Sequence, residues 1–86
     1  MKTKKLLQKM SAFLSADRRA QMAKAASLEK IMQKLERKAA SLREKLEDEK
    51  NETKRFELFR KLDVVDAQRV KGEKLLAELE AERKAS

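Results

Sequence analysis

The sequence predicts an all-α protein: an antiparallel coiled-coil helical hairpin with a short N-terminal helix, dimerising into a helical bundle. Three observations lead there. Pro is absent and Gly72 is the one Gly among 86 residues, so the turns of a β-rich or loop-rich fold cannot be built. The remainder is dominated by Ala, Leu, Lys, Glu, Arg, Gln and Met, the strong helix formers. And Leu28, Met32, Leu35, Ala39, Leu42 and Leu46 alternate steps of four and three, the spacing of a coiled-coil seam.

The N-terminal unit is expected over residues 1–14, as a basic amphipathic helix or arm. Leu6, Leu7, Met10, Phe13 and Leu14 fall on one face at helical spacing, with Lys2, Lys5 and Lys9 elsewhere. Ser15 reads as an N-cap, with Asp17 in the first turn behind it. The hairpin then occupies 15–86, with helices over about 16–49 and 52–84. Ala20, Ala23, Ala25 and Ala26 lead into the seam and permit close helix approach. At Glu49-Lys50-Asn51-Glu52-Thr53 the apolar pattern lapses, and Asn51 is a good N-cap for the last helix.

If the chain reverses near Asn51, facing residues have numbers that sum to about 102. Leu46 then meets Phe56, Leu42 meets Phe59, Ala39 meets Leu62, Met32 meets Val70, Leu28 meets Leu75, and Met22 meets Leu79. Two features oppose this register. Glu44, Glu47, Asp48 and Glu49 crowd a helix C-terminus, where the dipole disfavours acids. Asp63 and Asp66 offer another break, which would leave one long helix from Ser15 to about Leu62.

The last helix carries more apolar surface than one seam needs. Phe56, Phe59, Val70 and Ala77 lie on one stripe, and Leu58, Leu62, Val65, Leu76 and Leu79 on another. A helix with two apolar stripes touches two neighbours. One neighbour is the chain's own second segment and the other is the N-terminal helix or another subunit; the second stripe is the candidate oligomer interface of a homodimer forming a four-helix bundle. Gly72, inside this helix, costs roughly 1 kcal/mol relative to Ala and can admit a bulky neighbour such as Ile31.

Charge bounds the partners. Lys and Arg number 23 against 15 Asp and Glu, a net +8. Residues 1–27 alone hold seven basic side chains against Asp17. Candidate phosphate or partner contacts are Lys2, Lys4, Lys5, Lys9, Arg18, Arg19, Lys24, Lys30, Lys34 and Lys38. The run Lys30, Lys34, Lys38 also fits a solvated coiled-coil flank. Nucleic-acid recognition would be electrostatic and weak in sequence preference. A zipper basic region is denser and carries an Asn for base edges, and only Phe13, Phe56 and Phe59 could stack on bases. Residues 1–14 could instead lie on an anionic membrane surface, apolar face down. The favoured reading is that they cover the hairpin's spare stripe, which needs covering.

Catalysis has little to work with. His and Cys are absent, which removes the commonest general base, the thiol nucleophile and the usual transition-metal ligands. One Gly cannot build a phosphate loop. The carboxylates at 44–49 and 78–82 surround no Gly-centred turn of the kind calcium needs. Ser11, Ser15, Ser27 and Ser41 have Lys nearby, as any Ser would in so lysine-rich a chain. No cofactor, metal or catalytic residue is expected. The beginning, Met1-Lys2-Thr3-Lys4-Lys5-Leu6-Leu7, imitates a signal peptide, but Gln8 and Lys9 interrupt it too soon. The expectation is a cytoplasmic, non-catalytic structural or adaptor protein. It would self-associate and bind a protein partner through helix faces; the alternatives are the nucleic-acid and membrane readings.

Overall fold

The computed structural model describes residues 3–85. They form four α-helices and no strand: α1 (Thr3–Ser15), α2 (Arg18–Ala23), α3 (Ala25–Asp48) and α4 (Glu52–Ala85). At 1.5 Å per residue, the 34-residue α4 is about 51 Å long. That matches the longest dimension of the molecule, 52 Å, so α4 is its spine.

Local chemistry sets the helix ends. Asp17, in extended conformation, caps α2 by accepting from the Ala20 amide at 2.9 Å. The cap expected at Ser15 is corrected: its hydroxyl donates to the Ala12 carbonyl at 3.2 Å and belongs to the last turn of α1. The helix expected over 16–49 is also interrupted. Lys24 (φ −115°, ψ 25°) departs from helical geometry, and its amide still reaches the carbonyls of Ala20 and Gln21. The interruption is thus a kink that keeps the seam in phase: Gln21, Ala25 and Leu28 are all buried.

Between α3 and α4 the chain leaves helical geometry over residues 49–51. Asn51 caps α4, its side-chain oxygen accepting from the Lys54 amide at 3.1 Å. α4 continues unbroken through Asp63 and Asp66, so the single long helix ending near Leu62 does not form. The acids that opposed a helix end at Glu49 are answered by Arg55. Its guanidinium donates to the carbonyl of Leu46 and, at 3.0 Å, to that of Glu49. A cation thus sits on the negative end of the helix dipole.

α4 runs back along α2 and α3. Arg43 pairs with Asp66 at 3.3 Å. Arg18, much earlier in the chain, pairs with Glu78 at 3.2 Å and Glu82 at 3.4 Å. α3 buries Ala25, Leu28, Met32, Leu35, Ala39, Leu42 and Leu46, its whole seam. α1 adds Leu6, Met10 and Phe13, with Leu7 and Leu14 half-buried beside them. Its apolar face is therefore folded against the other helices.

The inward face of α4 differs from the expected one. Phe56, Phe59 and Val70 are 64%, 56% and 66% exposed, so the expected pairs Leu46–Phe56, Leu42–Phe59 and Met32–Val70 do not form the core. Val65, Gly72, Leu75 and Leu79 are buried instead, and Leu58, Leu62 and Leu76 pack half-buried on the core. The reason lies in area. The inward face holds five Leu and a Val, whereas the outward stripe offers two Phe, one Val and small residues, so this roll removes more apolar surface from water. Gly72 completes the fit. A Cβ there would strike the Met32 sulfur and lie 2.8 Å from the Met10 methyl. Its bulky neighbours are thus Met32 and Met10 rather than Ile31.

Candidate functional site

Two surfaces among the described residues bear on function once the core is assembled. The first is a groove between α1 on one side and α2–α3 on the other, with a volume of about 480 Å³. Leu6, Ala12 and Phe13 line it from α1, Ala16 from the linker, Ala20 and Gln21 from α2, and Ile31 from α3. Lys9, Lys24, Lys30 and Lys34 stand around it, with Ser27.

The elements place each group for a local reason. α1 ends at Ser15 and the chain passes through Ala16 and Asp17 into α2, which leaves Ala16 lining the groove. Gln21 secures that turn. Only 6% exposed, its amide nitrogen donates to the carbonyls of Phe13 at 3.0 Å and Leu14 at 3.4 Å. It adds a donor to two carbonyls at the end of α1, that of Phe13 also accepting from the Ala16 amide at 3.3 Å. The kink puts Lys24 on the rim, and helical spacing puts Lys30 and Lys34 one turn apart on the same edge. Lys9 faces them from α1. None of these four lysines pairs with a carboxylate among the described residues.

The ten basic residues singled out from sequence thus divide. Lys9, Lys24, Lys30 and Lys34 converge on the groove. Lys38 lies half-buried one turn beyond Lys34, and Lys4, Lys5 and Arg19 are exposed outside the lining. Arg18 ties α2 to the far end of α4 through Glu78 and Glu82, so its charge is already matched. Lys2 lies outside the described residues.

The second surface is the outward stripe of α4: Phe56, Phe59 and Val70, with Val64 49% exposed at its edge. Arg60 leans over the Phe56 ring, 6.0 Å from its centre. This corrects the stripe assigned to an oligomer. Val65 and Leu79 are buried within the chain, and Leu58, Leu62 and Leu76 are half-covered by it. α1 and α3 together use this face, which sequence reasoning left to the N-terminal helix or to another subunit. The signal that could have revealed this is Gly72. Residues 58, 62, 65, 69, 72, 76 and 79 keep steps of four and three, but the run passes through Arg69 and Gly72, which do not read as apolar.

No group of three or more acidic, His or Cys side chains among the described residues is arranged to hold a metal ion. Nor is any described helix long and apolar enough to cross a membrane. Compared with known proteins, the chain matches no family model, no curated protein and no solved structure.

Proposed function

We propose that this protein is a non-catalytic helical adaptor, an antiparallel coiled-coil pair braced by α1, that self-associates through the outward stripe of α4 and binds a protein partner. The observation that carries the reading is the exposure of Phe56, Phe59, Val64 and Val70 on a helix whose opposite face is already buried. Large apolar side chains grouped on a charged surface mark an interaction site.

A second copy suits that stripe. Phe56, Phe59, Asp63, Ala67 and Val70 follow steps of three, four, four and three, a spacing that reads the same in both directions. Two α4 helices crossing antiparallel at Asp63 would bring Phe56 against Val70 of the second copy and Phe59 against its Ala67. A two-fold contact requires that self-complementarity.

Sedimentation equilibrium tests it. The protein should sediment as a dimer at micromolar concentration. Phe56→Glu with Phe59→Glu should weaken association by about a thousandfold or more, because burying each Phe contributes ~2 kcal/mol. Helix content should be unchanged, since neither side chain supports the core. A monomeric parent protein, or a double variant that associates as the parent does, would refute the dimer.

A further inference from the structure

The groove between α1 and α2–α3 has a property the dimer reading does not use. Its floor is apolar, formed by Ala12, Ala16, Ala20 and Ile31 over the buried Leu6 and Phe13, while its rim is cationic. We infer that it is a docking site for an acidic amphipathic helix of a partner protein. The inference deepens the adaptor reading, and rests on it only for the assumption that a protein partner exists.

The charges specify the occupant. Lys24, Lys30 and Lys34 are spread along ten residues of chain, or about 15 Å of helix, and Lys9 lies opposite. Lys30 and Lys34 repel one another, and no described carboxylate lies within ion-pair distance of any of the four. A ligand with one anionic head, such as a fatty acid, could neutralise only one end of this row. A helix about three turns long, with carboxylates along both flanks and apolar residues at i, i+3, i+4 and i+7 between them, meets rim and floor together. A nucleic-acid backbone would match the lysines but leave the apolar floor uncovered, and no exposed aromatic lines the groove to stack on bases. A flat bilayer cannot follow a concave floor.

The probe is a labelled synthetic helix of about 18 residues, with Leu at those spacings and Glu on both flanks. Its controls are the same peptide with Lys for Glu, sodium laurate, and a short DNA duplex. By fluorescence anisotropy the full-length protein should bind the acidic peptide at least about tenfold more tightly than the basic one, with affinity falling as salt rises. Lys30→Glu with Lys34→Glu should lower that affinity about tenfold or more, and Lys30→Gln with Lys34→Gln by less. All four substitutions lie on the surface, so helix content by circular dichroism should match the parent protein.

Equal binding of the acidic and basic peptides would overturn the inference. So would displacement of the acidic peptide by laurate below its micellar range, or tighter binding of the duplex at 150 mM salt. The Phe56→Glu, Phe59→Glu protein separates the two readings. Monomeric or not, it should bind the acidic peptide as the parent does, so a failed dimer leaves the groove result standing and the reverse also holds.

Discussion

Gly72 of α4 lies against the Met32 side chain of α3, and the missing Cβ is what lets the two helices and α1 close together there. Met10 of α1 reaches the same spot. Three helices meet at a position where one of them presents only backbone.

That relationship predicts a graded response. Gly72→Ala should change stability by less than about 1 kcal/mol. The gain in helix propensity offsets the shift of two flexible Met side chains. Gly72→Leu should destabilise by about 2–3 kcal/mol through overpacking. Met32→Ala in the Gly72→Leu background should recover part of the loss, although Met32→Ala alone costs stability. Urea denaturation of the four proteins forms a double-mutant cycle. Simple additivity would show that Met32 and Gly72 do not share space.

Arg69 falls within the seam of α4. Its Nη1 pairs with Asp66 at 2.8 Å, but its Nε is buried without a hydrogen-bond partner among the described residues. Arg69→Leu should therefore raise stability by about 1 kcal/mol, since it removes an unsatisfied donor and extends the apolar seam. Asp66 keeps Arg43 as a partner. A lower urea midpoint for the variant would contradict this account.

The turn between α3 and α4 depends on Arg55. Arg55→Ala should cost about 1–2 kcal/mol, because the carbonyls of Leu46 and Glu49 lose a charged donor beside Glu47 and Asp48. Arg55→Lys should recover only part, since an ammonium lacks the forked geometry. Thermal unfolding of the pair gives the ordering to check.

Gln21 holds the angle between α1 and α2. Gln21→Ala should destabilise by about 1–2 kcal/mol. Gln21→Glu should be worse, because a carboxylate would face the Phe13 and Leu14 carbonyls where an amide now donates to them. Limited trypsin digestion should then cut faster at Arg18 and Arg19. Unchanged cleavage in both variants would show that the turn is held by something else.

On the proposed two-fold axis, Asp63 would face its own copy. Asp63→Ala should therefore tighten self-association several-fold by removing a like-charge contact. A weaker dimer in sedimentation would place the axis elsewhere on α4.

The helical state and the cap at Asn51 were legible because they depend on neighbours a few residues apart, whereas no spacing marked the break at Lys24. The α3 seam from Leu28 to Leu46 needs only its spacing, and the Asn51 cap needs only an amide three residues on. Helix formers with no Pro and a single Gly leave little alternative to helix. The small correction from Ser15 to Asp17 lies at the same local scale, where two good caps compete for one helix start.

The roll of α4 was not legible, because it depends on competition among all the helices for one core. Phe56 and Phe59 are the largest apolar side chains of α4, yet they lie outside, while Gly72 and the shaft of Arg69 lie inward. A pairwise sum between two helices cannot weigh a third, and α1 changes the balance by bringing Leu6, Met10 and Phe13 to the same core. The groove arises the same way. Lys9 and Lys34 are 25 positions apart in sequence and border one hollow only after α1 docks. Sequence by itself determined that this chain is helical and offered Asn51 or Asp63 as the place of its reversal, because those are local matters of backbone and propensity. Which faces were left over, and which lysines came together, was decided only by tertiary packing, where burying the most apolar area overrides the pattern of any single helix.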